Sequence, residues 1–204
     1  AAVPSPDGRY LAYATTIEGG GSLYLRPLER FESLQVATGQ SREWPHNAFF
    51  SPDSQWLGFF TVAELKKVPV TGGSPITLAE TEMPRGGSWS VDGRIVFAPE
   101  SSGGLSIVPA AGGDVVPLTT ITEESGFESH RYPQWLSGDR AVLFTSVDTA
   151  GTRIEIVDVA SGERSVLHEG GFYGRYVPTG HVLFVDGDAV FALPFDVDRL
   201  ERTG

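Results

Sequence analysis

A short turn motif returns along the chain at nearly constant spacing. The clearest copies are Ser5-Pro6-Asp7-Gly8, Ser51-Pro52-Asp53-Ser54 and Ser90-Val91-Asp92-Gly93, each followed by a run of apolar residues. Two weaker copies follow, Trp135-Leu136-Ser137-Gly138-Asp139 and Tyr176-Val177-Pro178-Thr179-Gly180. The spacing between successive copies is roughly 40 to 45 residues, which is the length of one four-stranded propeller blade.

The residues within one period support the same interpretation. In the third copy, four short apolar segments at 87–90, 95–98, 105–108 and 115–118 are separated by turns rich in Gly and Asp. Short segments bounded in this way are typical of β-strands. No stretch of the chain keeps the 3.6-residue apolar period of a helix. The sequence therefore predicts an all-β fold with almost no helix.

The fold class predicted is a β-propeller of four-stranded blades, with about five blade repeats. The predicted blades cover residues 1–39, 40–80, 81–122, 123–168 and 169–204 of a single propeller domain or propeller fragment. The last blade is predicted to be incomplete, because no sequence is left for its fourth strand. We expect such a fragment to expose sheet edges, which favours self-association.

Charge and composition exclude several classes of partner. Lys and Arg number 15 and Asp and Glu number 26, which gives a net charge of −11. Nucleic acids and anionic membranes need a basic footprint, so neither is a predicted partner. No apolar run approaches the roughly 20 residues of a membrane helix, so we expect no membrane insertion. There is no Cys, which excludes disulfides and thiolate metal sites.

The repeats resemble the WD-repeat-like blades of the TolB-type β-propeller family. The resemblance rests on Ser5-Pro6-Asp7-Gly8 with Leu11-Ala12-Tyr13, on Phe50-Ser51-Pro52-Asp53 with Leu57-Gly58-Phe59, and on Trp89-Ser90-Val91-Asp92-Gly93. The segments 23–28 and 65–73 are also similar to propellers fused to bacterial serine/threonine kinases. The resemblance implies a propeller that binds a protein or a ligand, in an extracytoplasmic or periplasmic location. No kinase motif occurs, so any kinase domain lies outside this chain.

A second regularity appears when the copies are aligned on the last residue of their first strand. These residues are all aromatic, Phe50, Trp89, Trp135 and Tyr176, and we expect them to pack between blades. Seven residues earlier stand Glu43, Glu82, Glu128 and Glu169, and four residues earlier stand His46, Arg85, Arg131 and Phe172. The segment before the innermost strand of a blade leads into the central channel. The polar members of both sets, with His130, are therefore predicted near the channel mouth.

Two interpretations of these charges stay open. In the first, each Glu pairs with a His or Arg of its own or the next blade, because buried charges are rarely left unpaired. In the second, they form a ligand site. Converging carboxylates suit Ca²⁺, so Glu43, Glu82, Glu128 and Glu169 are the candidate metal ligands. Exposed Arg85 and Arg131 suit a carboxylate or a phosphate.

No specific catalytic motif is present, and we predict no catalytic residue. The chain lacks the G-x-S-x-G, H-E-x-x-H, EF-hand and P-loop patterns. A non-enzymatic binding or sensory module for a protein partner or small ligand is therefore favoured. Two alternatives stay open: a metal-dependent hydrolase or lactonase-type enzyme with a channel cation, and a regulatory or structural appendage of a catalytic domain outside this chain.

Overall fold

The computed structural model describes residues 2–121 and 128–204. Within them, twenty β-strands form five antiparallel sheets of four strands, and the strands of each sheet follow one another in chain order. The other regular element there is a single 3-10 turn at Ser41–Glu43. Among the residues described, no helix is long and apolar enough to cross a lipid bilayer. The predicted all-β architecture of four-stranded blades is confirmed.

The strands of the five sheets have the following bounds. Sheet 1 contains β1 (Ala2–Pro4), β2 (Tyr10–Ile17), β3 (Gly20–Pro27) and β4 (Leu34–Gln40). Sheet 2 contains β5 (His46–Phe50), β6 (Trp56–Phe60), β7 (Glu64–Pro69) and β8 (Ile76–Glu80). Sheet 3 contains β9 (Gly87–Trp89), β10 (Arg94–Phe97), β11 (Ser106–Pro109) and β12 (Val116–Pro117). Sheet 4 contains β13 (Glu128–Trp135), β14 (Ala141–Asp148), β15 (Thr152–Asp158) and β16 (Arg164–Glu169). Sheet 5 contains β17 (Phe172–Val177), β18 (His181–Asp186), β19 (Ala189–Asp196) and β20 (Glu201–Arg202).

The last of these strands corrects a prediction. Strand β20 pairs with β19, with Arg202 opposite Phe195 and Glu201 opposite Asp196, so the fifth sheet has its fourth strand. The expectation of an incomplete last blade was wrong. A two-residue strand made of Glu and Arg carries no alternation of apolar and polar residues, so the strand pattern could not reveal it.

The repeated turn joins the first strand of a sheet to the second. The Ser5 hydroxyl donates to Asp7 Oδ1 at 2.6 Å and accepts the Tyr10 backbone N–H at 2.9 Å. The hydrogen bonds from the Ser5 hydroxyl and the Arg9 backbone N–H lower the pKa of Asp7. Gly8 has φ 72°, a conformation that glycine adopts without steric cost.

The same contacts recur in the next two sheets, through the pairs Ser51–Asp53 and Ser90–Asp92, each at 2.5 Å. The turns also touch across sheets, because the Asp7 backbone N–H donates to Ser54 Oγ at 3.2 Å. The Ser and Asp of the motif therefore have a structural role in these turns.

Four apolar clusters lie between consecutive sheets. An aromatic residue of a second strand is buried in each of them, with Phe59 between sheets 1 and 2, Phe97 between 2 and 3, Phe144 between 3 and 4, and Phe184 between 4 and 5. Each inner sheet therefore packs one face against the preceding sheet and the other against the following one.

The first strands of all five sheets contribute residues to one central cavity. Sheets that stack face to face while sharing a common inner cavity are arranged radially. This is the architecture of a β-propeller.

Candidate functional site

The central cavity has a volume of about 500 Å³ and a wall rich in aromatic residues. The rings that line it include Tyr13, Trp44, Phe49, Trp89, Tyr132 and Tyr173. Phe50 and Trp89, which were predicted to pack between blades, do so and also reach the cavity wall. None of the described residues on this wall is Asp, Glu or Lys, and Arg175 is its one arginine. In a chain with a net charge of −11, the cavity is therefore free of carboxylates on its described wall.

A residue with positive φ shapes the wall at the same point in each of four sheets. Asn47, Gly86, Tyr132 and Tyr173 stand three residues before the aligned aromatics and have φ of 48°, 94°, 53° and 59°. The strand register shifts at this position in β5, β13 and β17. All four residues line the cavity. A β-bulge redirects a side chain, and left-handed tyrosines are uncommon, so this backbone is shaped for the cavity at a cost to the fold.

Arg175 is held inside the cavity by neutral groups. Its Nη1 donates to the backbone oxygens of Tyr132 at 2.6 Å and Gly174 at 3.1 Å. Its guanidinium carbon lies 4.1 Å from the centre of the Tyr173 ring. No carboxylate of the described residues lies within 4 Å of it. Its positive charge is therefore positioned but not neutralised by that part of the chain.

The predicted basic positions lie at the rim of this cavity. His46 lines it, and its Nδ1 lies 3.2 Å from the Trp44 backbone oxygen. Burial, with the nearby Arg85 guanidinium, lowers the pKa of His46. Arg85 and Arg131 directly precede the cavity residues Gly86 and Tyr132.

The backbones of these two arginine positions are joined. The Tyr132 N–H donates to the Arg85 oxygen at 2.8 Å. Arg131 donates from Nε to Ser129 Oγ at 2.8 Å and from Nη2 to the Ser101 backbone oxygen at 3.4 Å. Burial, with the Arg85 charge, lowers the pKa of Arg131. Within residues 2–121 and 128–204, neither arginine has an ion-pair partner.

The four aligned glutamates take up different positions. Glu43 is exposed in the 3-10 turn, Glu82 is exposed in a one-residue bridge to Glu100, and Glu169 is exposed at the end of β16. Glu128 is buried at the start of β13. The described part of the chain contains no group of three or more His, Asp or Glu placed to hold a metal ion. The structure thus does not gather these carboxylates, and Ca²⁺ binding by them stays a prediction.

Glu128 and His130 belong to a buried polar network between sheets 3 and 4. His130 is fully buried, with Nε2 2.9 Å from Glu128 Oε1 and Nδ1 2.7 Å from Thr119 Oγ1. Arg164 Nη1 lies 3.1 Å from Glu128 Oε1 and 2.7 Å from His130 Nε2. His130 therefore faces the interface between sheets, where its ring is 4.7 Å from that of Phe144, and it does not line the cavity.

The charges in this network are set by burial and by their partners. Burial lowers the pKa of His130 and raises the pKa of Glu155, whose carboxylate lies 3.4 Å from Arg153 and 4.0 Å from Arg164. Burial alone would raise the pKa of Glu128, but the hydrogen bonds with His130 and Arg164 hold it below its usual value. Most charges of the network are paired within it, whereas the buried Arg153 Nε has no hydrogen-bond partner among the described residues.

The fold is similar to several solved propellers. A putative TolB from Agrobacterium tumefaciens matches with a TM-score of 0.74 and 20% identity, over 99% of this chain and 78% of that chain. TolB from Acinetobacter baumannii matches with a TM-score of 0.70 and 12% identity, over 94% of this chain and 51% of that chain. The fold is that of a TolB-like β-propeller.

This TolB-like propeller shares its fold with an enzyme as well. Oligogalacturonate lyase from Vibrio parahaemolyticus matches with a TM-score of 0.68 and 15% identity, over 99% of this chain and 63% of that chain. No protein-family model and no curated protein sequence matches the chain. Identities at this level establish the fold alone, and one fold hosts both binding and catalysis. The chemistry of the cavity, and not the fold, therefore bears on the function.

The sequence patterns singled out three residues that line the cavity, His46, Phe50 and Trp89, but missed the rest of its wall. His46, Arg85 and Arg131 were found from their register, whereas the bulge residues one position later were not. Their identities differ from blade to blade, so spacing from the aligned aromatics was the one available signal. Arg175 directly precedes an aligned aromatic, Tyr176, and the corresponding positions in the earlier copies are not basic.

Proposed function

We propose that this TolB-like propeller is a non-enzymatic binding module, and that its central cavity holds a small ligand with an aromatic body and a negative charge. The observation that carries the proposal is the aromatic cavity of about 500 Å³ with Arg175 on a described wall free of carboxylates. This volume lies within the range of roughly 300–1,000 Å³ that is usual for small-molecule sites.

The chemistry of the wall favours such a ligand over a cation or a purely apolar one. Tyrosine and tryptophan rings stack on aromatic ligands, and a guanidinium pairs with carboxylate or phosphate oxygens. Arg175 is oriented by the Tyr132 backbone and the Tyr173 ring, so little side-chain entropy remains to be lost on binding. A bound anion supplies the partner that the described wall does not.

The wall also favours binding over catalysis. Among its described residues there is no Asp, Glu, Lys or Cys that could act as a nucleophile or a general acid. The Ser88 hydroxyl accepts the Trp135 backbone N–H at 3.1 Å and so has a structural role. The one imidazole on the wall, His46, contacts a backbone oxygen through Nδ1, and no hydrogen bond among the described residues joins it to a hydroxyl.

The test is a titration of tryptophan fluorescence, since Trp44 and Trp89 line the cavity. Benzoate, benzamide and benzylamine offer one ring with a negative, neutral or positive substituent. We expect benzoate to bind most tightly, and we expect Arg175→Gln to weaken benzoate roughly tenfold through loss of a charge-assisted bond.

Arg199→Gln is the matched control, because Arg199 is an exposed arginine outside the cavity. Equal affinity for benzoate and benzylamine would overturn the proposal. So would an Arg175→Gln protein that binds benzoate as well as the Arg199→Gln protein does.

A further inference from the structure

Three arginine residues from neighbouring blades lie next to one backbone position, that of Tyr132. Tyr132 donates its N–H to the Arg85 oxygen at 2.8 Å, and its own oxygen accepts Arg175 Nη1 at 2.6 Å. Arg131 is the residue directly before Tyr132. The segments of blades 3, 4 and 5 thus each place one arginine beside Tyr132, Arg85 through its backbone oxygen, Arg131 through the adjoining peptide bond and Arg175 through its guanidinium.

These guanidiniums are left unneutralised by the described chain. None of the three has a carboxylate within 4 Å among residues 2–121 and 128–204. Elsewhere in the same residues, Arg9, Arg94, Arg140, Arg153, Arg164 and Arg199 all have such partners. The three arginines beside Tyr132 are thus among eight cations without a carboxylate partner in the described residues, the others being Arg26, Arg30, Arg42, Lys67 and Arg202.

The described surroundings of Arg85 and Arg131 do not compensate the repulsion between their two positive charges. Arg131 is half-buried and is fixed by Ser129 and Ser101, which are neutral. Arg85 makes no side-chain hydrogen bond with the described residues, and its charge disfavours the charged form of Arg131. Like charges held together in a partly desolvated place gain most from a ligand with more than one negative charge.

We infer that Arg85 and Arg131, together with Arg175, form a phosphate subsite, and that the ligand class is an aromatic phosphomonoester whose ring occupies the cavity. This inference rests on the proposed function and narrows it. A phosphomonoester carries close to two negative charges at neutral pH and three oxygens that accept from several guanidiniums at once. A carboxylate offers one charge and two oxygens, which a single arginine can satisfy.

The experiment compares three probes in the same fluorescence titration at pH 7.5: phenyl phosphate, benzenesulfonate and benzoate. Phenyl phosphate and benzenesulfonate share a tetrahedral anionic group and differ in charge. We expect phenyl phosphate to bind at least roughly tenfold more tightly than benzenesulfonate. Arg85→Gln and Arg131→Gln should each reduce that preference, with a smaller effect on benzoate.

Two further variants separate the subsite from an effect on the fold. Arg131→Lys keeps the charge and should retain part of the preference, whereas Arg199→Gln should retain all of it. Arg85→Gln removes a side chain with no hydrogen-bond partner in the described residues, so the protein should remain folded.

The outcomes distinguish this inference from the proposal it rests on. Tight benzoate binding with no preference for phenyl phosphate over benzenesulfonate would overturn the phosphate subsite and leave the anion-binding cavity intact. A preference that survives in both Arg85→Gln and Arg131→Gln would also overturn it. Failure of all three anions to bind would overturn the proposed function as well.

Discussion

Strand β13 carries charged residues in two different environments, a closed interface between sheets and the surroundings of the cavity. Glu128 and His130 lie between sheets 3 and 4, where Arg164 and Thr119 satisfy them. Arg131, the next residue, is half-buried near the cavity and has no described carboxylate partner. Successive side chains of a strand point to opposite faces, so neighbours in sequence enter different environments. A charge in a closed interface needs a partner from the chain, whereas a charge at a cavity can be matched by a ligand.

The largest effect that tests this comparison is on stability. We expect Glu128→Gln to lower the free energy of unfolding by about 2–3 kcal/mol, because Arg164 loses a buried ionic partner. Arg85→Gln removes a charge at the rim and should change the free energy by less than about 0.5 kcal/mol. Urea unfolding of both variants measures the difference. Equal losses would mean that the interface and the rim are not distinct environments.

A smaller effect is expected on the pH dependence of stability. Burial keeps the pKa of His130 below its usual value of 6.5, so the unfolded chain takes up this proton before the folded protein does. Stability should therefore fall as the pH drops below about 6.5, by at most about 1.4 kcal/mol per pH unit for this residue. Urea midpoints at pH 7.5 and 5.5 measure it.

His46 also has a lowered pKa and contributes with the same sign. The variants His130→Gln and His46→Gln show how much of the pH dependence of stability each histidine causes. We expect the greater part to disappear with His130, because it is fully buried in the interface and His46 is half-buried at the cavity. A greater loss of pH dependence in His46→Gln would mean that the histidine at the cavity contributes more than the one in the interface.

The smallest expected effect concerns Ca²⁺. Three of the four aligned glutamates are exposed and apart from the fourth, and Glu128 is engaged with His130 and Arg164. We expect neither added Ca²⁺ nor EDTA to move the thermal midpoint. A site filled at 100 times its dissociation constant would add about 2.7 kcal/mol. A rise of the thermal midpoint with Ca²⁺ that EDTA reverses would restore the carboxylates as a candidate cation site.

The fold could be predicted from the sequence because its information is local. The Ser–Asp hydrogen bond lies within four residues, and the apolar segments between turns show their alternation directly. Strand β20 was missed because its two residues, Glu201 and Arg202, are held only by pairing with β19. Pairing of that kind depends on the neighbouring strand and leaves no pattern in the residues themselves.

The site could be predicted only in part, for a geometric reason. The aligned glutamates share one spacing in the sequence but lie in different structural elements. Glu43 lies in a 3-10 turn, whereas Glu169 ends the outer strand of the preceding sheet. The bulges add a second difficulty. An extra residue at Asn47 or Tyr132 interrupts the strand alternation, so the face taken by each side chain before the bulge cannot be counted back from the turn.

The repeated Ser–Asp turn has a consequence for how this protein can change over evolutionary time. The turn fixes one end of each inner strand through its own hydrogen bonds, in three blades with nearly the same lengths. The residues three positions before the aligned aromatics take no part in these hydrogen bonds and already differ as Asn47, Gly86, Tyr132 and Tyr173. Of these, Asn47 and Gly86 belong to blades that carry the Ser–Asp turn. Selection can therefore exchange cavity residues blade by blade, and so retune the ligand, while every blade keeps its register.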